Sequence, residues 1–316
     1  MGKISKYFSL LKFSITHPKE GMDIFNAAIQ TQEDSKQKIK EHTAKSLQLE
    51  KTLDELFPNN GFSKKKLNEN TKELQIHFKD YFEKLKFKNF SSKEKPYPTD
   101  YSIHEDSRLF LYALCKIVKP DLVVETGVAY GISSAYILQA LHENDKGTLY
   151  SIDNVFKPWE SLEMIGNAIP SKIQDRWKLI IGTSSEKFDD LFQSLEKVDI
   201  FLHDSLHTYK NMLLEFQTAW PFIKNSGFLL SDDIIDNNIN FSQIEDTEFN
   251  FSILYLPFKN FSELSTLITS IAISFIPYII KVGIKISPIT LLSFLKFALY
   301  QLSADFRALL CLKVSK

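Results

Sequence analysis

The stretch 121–134, DLVVETGVAYGISS, constrains this chain more tightly than any other. Asp121 to Glu125 is apolar and valine-rich, which suits a strand buried on both faces. Thr126, Gly127, Val128, Ala129, Tyr130 and Gly131 follow as a turn, and Ser133, Ala135, Tyr136, Ile137, Ala140 and Leu141 then read as a helix. Strand, glycine turn and helix in that order open a doubly wound α/β sheet, whose ligand lies at the carboxyl edge of the strands. Glycine lets the backbone approach a ligand closely, and the free N–H groups at the helix start attract an anionic or polar group.

The turn is not the dinucleotide fingerprint, because Ala129 and Ile132 break G-x-G-x-x-G. An acid at this turn, Glu125, suits a ligand that carries an ammonium group as well as a carboxylate. The tail of S-adenosylmethionine carries both. The expected cofactor-binding residues of this segment are Glu125, Thr126, Gly127, Ala129, Gly131 and Ser133.

Downstream the alternation is regular. Strands are predicted at 148–152, 177–181, 198–203 and 228–231, with helices at 159–168, 186–195 and 207–223 between them and one at 106–118 before the first strand. Strand and helix alternating at this spacing imply a mainly parallel sheet with helices on both faces, a Rossmann-like α/β fold. Residues 1–95 are expected to form a helical N-terminal extension, 96–256 the α/β domain and 257–316 an apolar helical C-terminal extension.

The polar residues of interest fall at strand ends. Asp153 lies 22 residues after Gly131, where an acid can accept hydrogen bonds from both ribose hydroxyls; the other reading of it is a helix N-cap. Gly182, Thr183 and Ser184 are placed to meet an adenine, or to make a plain turn and cap. Asp204, Ser205, Leu206 and His207 follow one strand, and Asp232 and Asp233 the next. Three carboxylates at close range repel unless a cation neutralises them, and oxygen ligands favour a hard divalent ion such as magnesium. Such an ion can lower the pKa of a substrate hydroxyl, and His207 can accept the proton. The competing reading is that Asp204 and Asp232 cap helices and His207 begins one.

The runs VVETGVAYGISSAYIL, SID, IFLHDSLHTYKNMLLEF and GFLLSDDI together resemble class I S-adenosylmethionine-dependent methyltransferases. The branch they resemble includes the macrocin and mycinamicin sugar O-methyltransferases and the cephalosporin-hydroxylase-like proteins. The resemblance covers about residues 96–240. It implies a cofactor turn at Glu125, Gly127 and Gly131, a ribose acid at Asp153, a magnesium site at Asp204, Asp232 and Asp233, and a general base at His207. Asp204 is also counted among the cofactor-binding residues. In this sequence the antiparallel strand pair that usually finishes such a sheet is not evident: Phe251–Leu256 reads as one strand, without a clear final hairpin.

The remaining readings are coarser. A formal net charge of -1 argues against a general nucleic-acid binder. Two cysteines, Cys115 and Cys311, cannot build a disulfide framework, so a reducing, cytoplasmic compartment is expected. The N-terminus reads as no signal peptide, and Lys6 stands where a myristoylation signal needs Ser or Thr. Residues 3–16 form a short basic amphipathic helix, read either as docking on the core or as a membrane-surface contact. Residues 264–280 are uncharged and reach only the lower limit of a membrane span, roughly 17 residues, with Pro277 inside. Helices that pack on the core, join two copies of the chain or lie at a membrane surface are expected there. The expected activity is O-methylation of a small hydroxylated acceptor, such as a sugar or glycan unit. The rivals are a nicotinamide-dependent oxidoreductase and a non-catalytic, membrane-associated binding protein.

Overall fold

The computed structural model of the chain describes residue 10 and residues 12–36, 49–99, 103–232, 250–254 and 310–315. One seven-stranded sheet organises them, in the order β3-β2-β1-β4-β5-β7-β6. The strands are β1 Leu122–Thr126, β2 Thr148–Asp153, β3 Trp177–Ile181, β4 Val198–His203, β5 Ile223–Ser231, β6 Asn250–Leu254 and β7 Leu310–Ser315. The first five are parallel, β7 is antiparallel to β5, and β6 is antiparallel to β7. The order runs outward in opposite directions from β1 and β4, so the crevice of this sheet lies at their carboxyl ends.

The antiparallel pair that is not evident in the sequence is therefore present. Residues 255–309 separate its strands, so no tight turn marked a hairpin, and β7 comes from residues read as the end of a helical extension. That part of the expectation for 257–316 is corrected: Leu310–Ser315 belongs to the sheet. The rest of the apolar tail, and residues 1–9 of the amphipathic N-terminus, lie outside the described residues. No described helix is long and apolar enough to cross a membrane.

The helices packed about the sheet are α1 Pro18–Lys36, α2 Leu49–Leu56, α3 Lys64–Asn70, α4 Lys72–Lys86, α5 Glu105–Val118, α6 Ile132–Glu143, α7 Ser184–Leu195 and α8 Tyr209–Ala219. They cover both faces of the sheet. Helices α2–α6 share one buried cluster with Val123, Ile200, Leu202, Phe228 and Leu230. Helices α7 and α8 share the other with Val124, Phe201 and Leu229. Neighbouring strand residues thus enter opposite cores, which is why β1 reads as an unbroken apolar run. Helix α5 ends on Lys119 in the left-handed conformation, and Pro120 prevents its continuation into β1.

The N-terminal helices reach the glycine turn through aromatic side chains. Tyr130 is buried and meets Tyr81, Phe82 and Tyr97 edge to face. Its hydroxyl donates to the Tyr97 carbonyl at 2.9 Å. Tyr97 therefore packs on the turn, while its companion Tyr101 is outside the described residues.

Residues 159–168 do not form the predicted helix. Gly166 has φ of +68°, its N–H donates to the Ala129 carbonyl at 2.8 Å, and the Ala168 N–H donates to the Tyr130 carbonyl at 3.0 Å. Backbone committed to bracing the turn cannot also close helical hydrogen bonds. Only Leu162–Met164 makes a single 3-10 turn.

Candidate active site

A cavity of about 1150 Å³ opens over the carboxyl ends of β1, β2, β4 and β5. The glycine turn forms its floor. Gly127 has φ of +80°, and a Cβ there would sit 1.9 Å from the Asp204 carbonyl oxygen, so the ends of β1 and β4 meet too closely for any side chain. Gly131, at φ +89°, is the N-cap of α6, and a Cβ there would strike Ile169 at 2.5 Å. Both positions require glycine whether or not a ligand is bound.

Thr126, Gly127, Ala129, Ser133, Asp153, Thr183, Asp204, His207 and Asp232 all line this one cavity. Asp153 braces the turn: its Oδ2 accepts from the N–H groups of Val128 at 2.8 Å and Ala129 at 2.9 Å. Its Oδ1 accepts from the Asn154 N–H at 2.6 Å, and burial raises its pKa despite these bonds. Oδ2 thus uses both of its lone pairs on the turn, and Oδ1 keeps one for a donor from the cavity. Thr183 is the N-cap of α7 and forms a capping box with Glu186. The cap reading of Thr183 is thus met, and its position on the cavity wall is kept.

Glu125 is not brought to the cavity wall. It is fully buried beneath the turn, where Oε1 accepts from the hydroxyls of Ser134 and, at 2.6 Å, Ser151. The side chain ties β1, β2 and the start of α6 together. Burial lifts its pKa from the ordinary 4.5 to about 7, against the bonds from the two serines. Between those values the folded chain holds a proton that the unfolded chain has released. This contribution to stability is fully present below about pH 4.5 and falls by on the order of 3 kcal/mol as pH rises through about 7. Asp153, also raised, adds to the same slope. Urea titrations from pH 4.5 to 8 are expected to show this decline in the wild type and a flatter curve in Glu125→Gln. Parallel curves would remove Glu125 as its source.

The second constellation forms at the ends of β4 and β5. These strands pair with His203 opposite Ser231, so Asp204 and Asp232 are the next residues of neighbouring strands. The Asp232 N–H donates to the His203 carbonyl at 2.9 Å. His207 Nε2 lies 3.6 Å from Asp204 Oδ1, an ion-pair distance too long for a good hydrogen bond. Burial and the nearby His203 ring lower the His207 pKa to about 3, so the imidazole is neutral at physiological pH. Among the described residues no group of three or more His, Cys, Asp or Glu is arranged to hold a metal. Asp233, the third expected carboxylate, lies outside them.

Beneath this cluster is a network that the sequence reading missed. Glu215, from α8, is fully buried. Its Oε2 accepts from His203 Nδ1 and Thr126 Oγ1, each at 2.6 Å. Its Oε1 accepts from Ser205 Oγ at 2.8 Å and Asn211 Nδ2 at 3.1 Å. Burial alone would push this carboxyl up, but the His203 imidazole and the hydroxyl donors hold it below its ordinary value, so it is ionised. One carboxylate thereby fixes the ends of β1 and β4 and the loop that carries Asp204 and His207. A signal existed: Glu215 falls among Met212, Phe216 and Ala219 on the buried stripe of α8, an unusual place for an acid.

No curated protein sequence matches this chain. Solved structures give distant likenesses. A methyltransferase from Podospora anserina bound to SAH is 14% identical over 76% of this chain and 88% of its own, with a TM-score of 0.42. An O-methyltransferase from Bacillus cereus in complex with SAH is 14% identical over 65% and 88%, at 0.40. The mycinamycin-pathway methyltransferase MycE, solved with magnesium and SAH, is 19% identical over 36% of this chain and 29% of its own, at 0.28. With TM-scores this low, none of the three informs the chemistry of this chain. The sequence itself gives a more local result: residues 124–234, from inside β1 to just beyond β5, match the model of a family described as a methyltransferase domain.

Proposed function

We propose that this chain is an S-adenosylmethionine-dependent methyltransferase that methylates a hydroxyl group of a small acceptor, with a divalent ion at the acceptor end of the cavity. The observation that carries the reading is that one cavity joins the glycine turn and Asp153 to Asp204, His207 and Asp232. S-adenosylmethionine supplies an electrophilic methyl on a sulfonium, and the enzyme's tasks are alignment and removal of the acceptor proton.

The residues present fit these groups. The N–H groups at the start of α6 face an anionic carboxylate, and the lone pair left on Asp153 Oδ1 faces a ribose hydroxyl. Thr183 borders the part of the cavity open to the base. Asp204 and Asp232 offer the hard oxygen donors that a magnesium ion prefers, and Asp233 follows directly in sequence. His207 stands beside Asp204 as the proton acceptor. Glu125 acts from below, holding the turn rather than touching the ligand.

Calorimetry with S-adenosylhomocysteine tests the first half: binding in the micromolar range is expected, and Asp153→Ala should weaken it at least tenfold, about 1.4 kcal/mol. Absence of any heat of binding in the wild-type chain ends the proposal. Transfer of a labelled methyl group should fall on addition of EDTA and return with magnesium, while affinity for S-adenosylhomocysteine stays unchanged.

A further inference from the structure

Two sides of the cavity differ in chemistry. Turn and capping residues line the side near β1, β2 and α7. The other side lies between α1 and α8, where Ile24, Ala27 and Ala28 face Leu213 and Leu214, with Leu206 at the edge. Residues 24, 27 and 28 have the spacing of one helix face. Leu206 and Leu214 remain 36% and 41% exposed, which is a large apolar surface to leave open beside a polar cluster.

Helix α1 is fixed at both ends. Near its start Lys19 pairs with Glu186 of α7. Near its end Gln30 Oε1 accepts from Thr208 Oγ1 at 2.8 Å, and Asp34 Oδ2 accepts from the Tyr209 N–H at 3.0 Å. Between these ties Ile24, Ala27 and Ala28 line the cavity as an apolar strip, bordered by Asp23, Asn26 and Thr31. A volume of about 1150 Å³ also exceeds the roughly 300–1000 Å³ of a pocket for one drug-sized ligand.

We propose that the cavity takes two ligands side by side, and that the half between α1 and α8 is a subsite for an acceptor whose hydroxyl is joined to an uncharged apolar body. The proposal rests on the methyltransferase reading and narrows its acceptor class. A bare sugar would leave the leucine, isoleucine and alanine wall hydrated, whereas an alkyl chain or a ring covers it.

A matched pair of probes separates the two chemistries. With S-adenosylhomocysteine saturating, calorimetry compares methyl β-D-glucoside with n-octyl β-D-glucoside below its micelle-forming concentration. The octyl glucoside is expected to bind at least tenfold more tightly. Ala27→Trp should remove that advantage by filling the subsite, and Leu214→Ala should reduce it severalfold by thinning the wall. Affinity for S-adenosylhomocysteine should stay within twofold in both variants. Equal response to the two glucosides, or an octyl preference that survives both substitutions, overturns the subsite and leaves the methyltransferase reading standing. Failure of S-adenosylhomocysteine to bind overturns both.

Discussion

Replacing Glu215 by leucine is expected to lower folding stability by about 3 kcal/mol or more, because several buried donors lose the one acceptor they share. The apolar volume is nearly conserved, and leucine suits the stripe of Met212, Phe216 and Ala219 around it. The penalty comes from what remains. The His203 ring, itself fully buried, loses the carboxylate on Nδ1, and its Nε2 already has no hydrogen-bond partner among the described residues. Thr126 and Ser205 lose the acceptor of their hydroxyls, while Asn211 Nδ2 keeps its bonds to Ser205 Oγ and the Leu206 carbonyl. Buried polar groups left without partners cost about 1–3 kcal/mol each, and several here share one acceptor. Glu215→Gln retains a carbonyl acceptor and should recover part of the loss. Urea unfolding at pH 7 reads both variants, and a loss below about 1 kcal/mol for leucine would show that the network carries little of the fold.

That network shows where sequence reasoning ended. The glycine turn, the parallel strands and the acids at their ends were legible because each leaves a local mark: valine runs with a period that excludes a surface strand, glycine where a side chain would collide, aspartate directly after a strand. Position along the sheet then followed from alternation alone, and Asp204 and Asp232 came together because β4 and β5 are neighbours. The misses were non-local. Glu125 reads as a turn residue facing a ligand, yet Ser134 and Ser151 lie on other elements and draw the side chain under the turn. Residues 159–168 carry helix-compatible spacing, but their backbone is spent on Ala129 and Tyr130. Leu310–Ser315 pairs with β5 across about eighty residues of chain, beyond the reach of any periodicity. Glu215 alone was recoverable, since an acid on an apolar helix stripe demands a partner.

His207→Ala is expected to lower turnover by about 10²–10⁴-fold, the usual worth of a positioned proton acceptor, and to leave affinity for S-adenosylhomocysteine within twofold. The second half of that expectation follows from position: His207 sits with Asp204 and Asp232 at the ends of β4 and β5, away from the Asp153 side of the cavity. Its low pKa, about 3, does not disqualify it. As the carbon–oxygen bond forms, positive charge builds on the acceptor oxygen and its proton becomes far more acidic than that of a free alcohol. A weak base is then strong enough, and it has the advantage of being unprotonated at every physiological pH. The pH profile supplies an independent mark. An ordinary histidine base gives an acid limb near its unperturbed pKa of about 6.5. Here the rate should show no loss attributable to His207 between pH 5 and 8, and the residual rate of His207→Ala should follow the wild-type curve in that window. His207→Asn, which keeps a polar side chain without a basic nitrogen, should be as slow as alanine. Turnover within tenfold of wild type in either variant, or a limb near pH 6.5 that disappears with the imidazole, would show that the proton leaves by another route or that bound ligands reset His207 to an ordinary base.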